Sequence, residues 1–204
     1  PDHLRLLASR VPFEARSTPM PTALVAIADG SEDIESVTII DVLRRADVDV
    51  TVASCAAGRR QITAARGTRI ETDALIGDCR DQLFDAIVLP GGMPGAEHLA
   101  QCDSLMDMAR EQLDADRLLG AICAAPAVAL EPNGLLARRR MTCFPSFTER
   151  VETGTWLDEP VVRDGSLITS QGPGTAIAFA LALVGQLVNP ESAEHIGQQL
   201  LAAA

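Results

Sequence analysis

Between Thr22 and Ala53 the chain reads strand, helix, strand, and this opening restricts the fold more than any other stretch. Thr22–Ala28 (TALVAIA) is an unbroken apolar run, ended by Asp29-Gly30-Ser31. The next segment, Glu32–Arg45, predicts a helix. It has acids in its first turn, arginines in its last, and a stripe through Ile34, Val37, Ile40 or Asp41, and Val42–Leu43. Val48–Ala53 (VDVTVA) is a second strand. Two strands joined by a helix lie parallel in one sheet, with a right-handed crossover.

The alternation continues to the end of the chain. Gln61–Ala64 and Arg69–Thr72 read as short strands that pair as a hairpin across Arg66-Gly67, and Phe84–Leu89 is the next parallel strand, closed by Pro90–Gly95. Helices are expected at 95–101 and 104–114, then a buried strand, Leu118–Ile122, and a helix beginning near Pro126. Met141–Phe144 is a short strand, Val161–Thr169 a hairpin on an Asp-Gly turn, and apolar and terminal helices occupy 175–188 and 191–202. The expected fold is a single three-layer α/β domain over residues 20–204, with helices on both faces of a mostly parallel sheet. Residues 1–19 lack such a pattern and read as an upstream leader or an artificial extension. As a targeting segment they match poorly, because acids accompany Arg5, Arg10 and Arg16.

Composition excludes several function classes. A net charge of -11 argues against nucleic acid or an anionic membrane as the main partner. The longest apolar run, Ala176–Val184, is shorter than the roughly 20 residues that span a bilayer. Cys55, Cys79, Cys102, Cys123 and Cys143 form no CxxC pair and total an odd number, neither a zinc pattern nor a disulfide framework, so a reducing compartment is expected.

Ligands of an open α/β sheet bind at the carboxyl ends of its strands. Asp29–Glu35, Pro90–Gly95, Cys123 and Gly172–Thr175 should converge there. Cys123 sits at a strand-to-helix turn, where the helix N-terminus favours ionisation relative to a free thiol of pKa about 8.5. The alternative is a small buried apolar residue. Gly91 and Gly92 let backbone approach closely, so an N–H there, with that of Ala124, could hold an oxyanion, or the pair is only a tight turn. Gly172-Pro173-Gly174 is either a pocket wall or a helix-entry turn. Glu35 is either a buried, protonated hydrogen-bond donor to the thiolate or an exposed helix acid. His3, His98 and His195 give no metal-ligand spacing and no evident general base.

Four motifs in order carry a resemblance: Gly30-Ser31-Glu32-Asp33-Ile34-Glu35, Leu89–Ala96 (LPGGMPGA), Ala121–Pro126 (AICAAP) and Thr169–Thr175 (TSQGPGT). Together they resemble the ThiJ/PfpI superfamily, in its DJ-one/YajL-like branch, from Thr22 to about Ala202. The resemblance implies a flavodoxin-like sandwich and a homodimer. It makes Cys123 the reactive thiol, Glu35 its protonated partner, and Gly92 and Ala124 the backbone oxyanion donors. Gly91, Phe144, Pro173, Arg45 and Arg66 would lie around the pocket, the two arginines also near the dimer interface. No metal or cofactor is implied. Many members have a histidine where this chain has Phe144, which removes any proton shuttle through that position. Ala124 stands where protease-like members have a histidine, which argues against peptidase activity.

The implied activity is a glyoxalase or deglycase acting on methylglyoxal, glyoxal and early glycation adducts to give hydroxy acids. The alternative is an oxidative-stress sensor and redox-regulated chaperone working through oxidation of Cys123. The expected location is the cytoplasm, or the mitochondrion if residues 1–19 are a genuine leader.

Overall fold

In the computed structural model, which describes residues 19–202, the first strand, β1 (Thr22–Ile27), turns Ala23, Val25 and Ile27 into one core and Leu24 and Ala26 into another. Side chains alternate across a strand, so an unbroken apolar run fits a sheet covered on both faces. Helix α1 (Asp33–Arg45) leads to β2 (Asp49–Ser54), and a small separate hairpin follows, β3 (Gln61–Thr63) with β4 (Arg69–Glu71). Next come β5 (Ala74–Leu75), β6 (Ala86–Leu89), α2 (Gly95–Ala100), α3 (Asp103–Asp114) and β7 (Leu118–Ile122). Two-residue strands β8 (Arg140–Met141) and β9 (Thr155–Trp156) pair with each other. Antiparallel β10 (Val161–Asp164) and β11 (Leu167–Ser170), then α4 (Ala176–Leu187) and α5 (Pro190–Gln199), complete the order.

The central sheet runs β10-β11-β7-β6-β1-β2-β5, parallel except at β10. This is the flavodoxin-like α/β arrangement. One face is covered by Ile39, Val42 and Leu43 of α1 and by Phe179 and Leu183 of α4, the other by Leu105, Met108 and Ala109 of α3. Gly120 in β7 makes room for this packing: a Cβ there would stand 3.0 Å from Leu183 Cδ2 and 3.1 Å from Phe179 Cζ. Full burial of a side chain such as Phe179 contributes about 1.5–3 kcal/mol. No helix among the described residues is long and apolar enough to cross a membrane.

Several expectations need correction. The buried stripe of α1 is Glu35, Ser36, Ile39, Val42 and Leu43, whereas Ile34 and Val37 are 57% and 50% exposed. The helix has apolar residues on two sides, and the expected stripe starts on the outer one at Ile34 and Val37 and meets the buried one only at Val42–Leu43. The helix expected near Pro126 does begin there, but it is a single π-helical turn, Pro126–Leu130, closed by Glu131 N–H donating to the Pro126 carbonyl. Pro132 follows at once and cannot continue a helical hydrogen-bond ladder. Only Arg140–Met141 pairs as a strand, so the run expected to end at Phe144 is shorter. The last helix stops at Gln199. The expected leader falls, apart from Pro19, outside the described residues.

Candidate active site

Parallel pairing brings the site together. β7 lies between β6 and β11, with Leu89 opposite Ala121 and Ser170 opposite Ile122, so the segments that leave these strands meet at one edge. Cys123 N–H donates to the Ser170 carbonyl at 2.9 Å, and its own carbonyl accepts the Phe144 N–H at 2.9 Å. Held by both bonds, Cys123 takes φ +65°, a left-handed conformation rare for a residue with a side chain. Such strain marks a position fixed by its surroundings. The residue is 7% exposed.

Glu35 settles one alternative left open by the sequence: it is 0% exposed, not an outer helix acid. Its Oε2 accepts the Gly91 N–H at 2.7 Å, while Oε1 is buried without a hydrogen bond of ordinary geometry. The side chain that interacts with this carboxyl is the Cys123 thiol. Burial, offset by the Gly91 N–H and the thiol, raises the Glu35 carboxyl to about 7. Burial first and the Glu35 charge second push the Cys123 thiol up to about 12, against the pull of the Gly92 and Ala124 N–H groups. The expectation that the elbow eases ionisation is therefore overturned while Glu35 is charged: its two donors act as expected, but desolvation and a neighbouring carboxylate outweigh them. Between about 7 and about 12 the pair holds one proton, and the two groups titrate as a unit.

The glycine pair is more than a tight turn. A Cβ on Gly91 would stand 2.6 Å from Cys123 Cβ and 2.8 Å from Ala124 N. Gly92 takes φ +88°, and a Cβ there would lie 2.5 Å from Glu32 N. The two N–H groups divide their work, Gly91 serving Glu35 and Gly92 the sulfur.

The acids before Glu35 fix the entrance of the helix that carries it. Glu32 is the N-cap of α1 and accepts the Glu35 N–H at 2.8 Å. Asp33 accepts the N–H groups of Arg66 and Thr68, and Asp29 that of Thr63, so the β3–β4 hairpin is tied to the entrance of α1. In the sequence Glu32 and Asp33 read as ordinary first-turn acids. The signal that would have found this role is their position between an apolar strand and a hairpin rich in free backbone donors.

Phe144 is 40% exposed, and its ring edge faces Gly172, where a Cβ would meet Cδ2 at 3.1 Å. Half-buried Pro173 follows in the turn that opens α4. The backbone of Arg66 reaches the N-terminus of α1 through Asp33. Arg45 is not brought to the site. It lies at the other end of α1, pairs with Asp41 at 2.7 Å and lines a cavity with Met20 and His195. His98, on α2, bonds the Asp29 carbonyl through Nδ1 at 2.8 Å. No group of three or more His, Cys, Asp or Glu among the described residues is arranged to hold a metal ion.

Comparison with known proteins identifies the family. The DJ-1/PfpI family profile matches residues 21–186. The chain is 40% and 38% identical to Arabidopsis thaliana proteins named DJ-1 homolog B and DJ-1 homolog A, over 89% of its own length but only 41% and 46% of theirs. It thus spans less than half of those relatives. It is 36% identical to a Caenorhabditis elegans protein named glutathione-independent glyoxalase DJR-1.2, over 86% of this chain and 92% of that one. A solved structure described as Toxoplasma gondii DJ-1, oxidized, superposes with a TM-score of 0.87 at 38% identity, covering 90% of this chain and all of that one.

Proposed function

Since the chain belongs to the DJ-1/PfpI family, we propose that it is a cofactor-independent, cysteine-dependent glyoxalase and deglycase acting on methylglyoxal, glyoxal and early glycation adducts. The observation that carries this reading is the buried Glu35 carboxyl beside the Cys123 thiol at a strained elbow. A relative named as a glutathione-independent glyoxalase supports the same chemistry.

Proton transfer from the thiol to Glu35 makes the nucleophile without changing the charge of the site. The Cys123 thiolate attacks the aldehyde carbon of methylglyoxal, and the alkoxide that forms is held by the Gly92 and Ala124 N–H groups until it takes the Glu35 proton. Glu35, again ionised, removes the proton from the former aldehyde carbon and returns it to the adjacent one, while the hydroxyl proton passes to the neighbouring ketone oxygen, leaving a lactoyl thioester on Cys123. Water then releases lactate and restores the thiol, so one methylglyoxal and one water give one lactate. Phe144 and Pro173 would form the rim. Arg45, remote from the sulfur, is left out of the pocket.

The test is lactate formation from methylglyoxal by the wild type and Cys123→Ala, with no glutathione or metal added and buffer-catalysed loss subtracted. Lactate that depends on Cys123 upholds the reading, and undiminished turnover by Cys123→Ala defeats it.

A second reading, redox sensing and redox-regulated chaperone action through Cys123, draws on the unpartnered Glu35 Oε1, which when protonated can donate to an oxidised sulfur. That a similar structure is described as oxidized adds support. Peroxide treatment followed by mass spectrometry separates it: Cys123 should gain two oxygens before Cys55, Cys79, Cys102 or Cys143 does. Self-association as a homodimer is part of the proposal, because α1 leaves Ile34 and Val37 exposed and the adjoining α4 leaves Ile177 exposed. Five free cysteines fit a reducing compartment such as the cytoplasm.

A further inference from the structure

A second pair of reactive groups stands on the opposite core face from Cys123. Cys55 directly follows β2 and Cys102 is the N-cap of α3, and both pack against the α3 side of the sheet. They line one cavity of about 470 Å³, walled also by the Asp29–Arg59 ion pair and by His98. Both are half-buried, in contrast to the buried Cys79, Cys123 and Cys143. Their backbones are anchored on separate elements: Cys55 N–H donates to the Ile27 carbonyl, while Cys102 N–H donates to Leu99 and the Cys102 carbonyl accepts from Met106. The two thiols border the same cavity and each perturbs the other's proton.

We propose that Cys55 and Cys102 form a second thiol site whose substrates are low-molecular-weight disulfides, with Cys102 as the attacking sulfur and Cys55 as the resolving one. The Cys102 thiolate attacks one sulfur of RSSR, forming a Cys102–SR mixed disulfide and expelling one RS⁻. Cys55 then gives up its proton and attacks Cys102 Sγ, forming the Cys55–Cys102 disulfide and expelling the second RS⁻. Two protein thiols are oxidised and one disulfide is reduced to two thiols; excess thiol reverses both steps.

The order of attack follows from the surroundings. The hydrogen bond from Cys55 and the Leu105 N–H in the first turn of α3 draw Cys102 down to about 7, near the best value for attack at neutral pH. The same bond, together with burial, holds Cys55 well above the usual thiol range, so it serves second. Cys123 is 7% exposed and meets the bulky disulfide poorly.

The experiment incubates the 204-residue chain, and separately its Cys123→Ser, Cys55→Ser and Cys102→Ser variants, with oxidised glutathione at pH 7. Samples are quenched in acid and thiols are located by alkylation and peptide mass spectrometry. The expected result is loss of two hydrogens with Cys55 and Cys102 peptides joined, in the wild type and in Cys123→Ser alike. Cys102 should react at least about tenfold faster than Cys79 or Cys143. Cys55→Ser should retain glutathione on Cys102, and Cys102→Ser should leave Cys55 unmodified. The proposal is overturned if wild-type Cys102 reacts no faster than Cys79 and Cys143, or if glutathione stays on it without displacement by Cys55.

Discussion

The two thiol regions differ in what shares the sulfur's proton. At Cys123 the partner is a fully buried carboxyl, and the pair loses its protons near 7 and near 12. At Cys102 the partner is another thiol beside an open cavity, and its sulfur is lowered to about 7. Both have backbone donors close to the sulfur, so a helix N-terminus does not by itself explain either. Cys143 is the control within the same chain: with burial as its only perturbation it is pushed up to about 11. A buried thiol is inert by default, and a proton-sharing neighbour is what gives it chemistry.

The sharpest way to break this contrast is to remove one partner. Cys123→Ala should reduce lactate formation to the buffer background, and Glu35→Gln should lower kcat/KM by about 10²- to 10⁴-fold, the range for loss of a positioned acid–base group. A surviving rate in Glu35→Gln would mean that the thiol works without its carboxyl.

Stability should move in the opposite sense. The folded protein keeps the Glu35 proton up to about 7, against 4.5 for an unperturbed carboxyl. The native state therefore binds more protons than the unfolded one between these values. The stability this group confers is fully present below 4.5 and lost as pH rises to about 7, a change of about 3 kcal/mol. Denaturant titrations from pH 4.5 to 8 should show this decline in the wild type and not in Glu35→Gln. A smaller effect is steric. Gly91→Ala places a methyl 2.6 Å from Cys123 Cβ and should cost about 1–3 kcal/mol by thermal unfolding, with activity falling as the elbow shifts.

Legibility in the sequence divided along physical lines. Runs such as TALVAIA and RLLGAI were readable as strands because both faces are buried, and the Gly91-Gly92 and Cys123 segments because they punctuate such strands. The inner face of α1 was not readable: Ile34 and Val37 are as apolar as Ile39 and Val42, and only the sheet decides that Glu35 points inward. β8 and β9, two residues each, carry too few side chains for a period. The raised thiol was hidden for the same reason as the burial of Glu35, since proximity across 88 positions is a property of the sheet order and leaves no local trace.

The central claim is that Glu35 and Cys123 titrate as one unit, and the pH dependence of Cys123 alkylation by iodoacetamide tests it most directly, followed by peptide mass spectrometry in the wild type and Glu35→Gln. The wild type should show two steps: a rise through about 7, as the first proton leaves and a fraction of the remaining one resides on Glu35, and a second rise towards about 12. Glu35→Gln should show a single step, below 12 because the neighbouring charge is gone. Identical single-step profiles in both proteins would contradict the account.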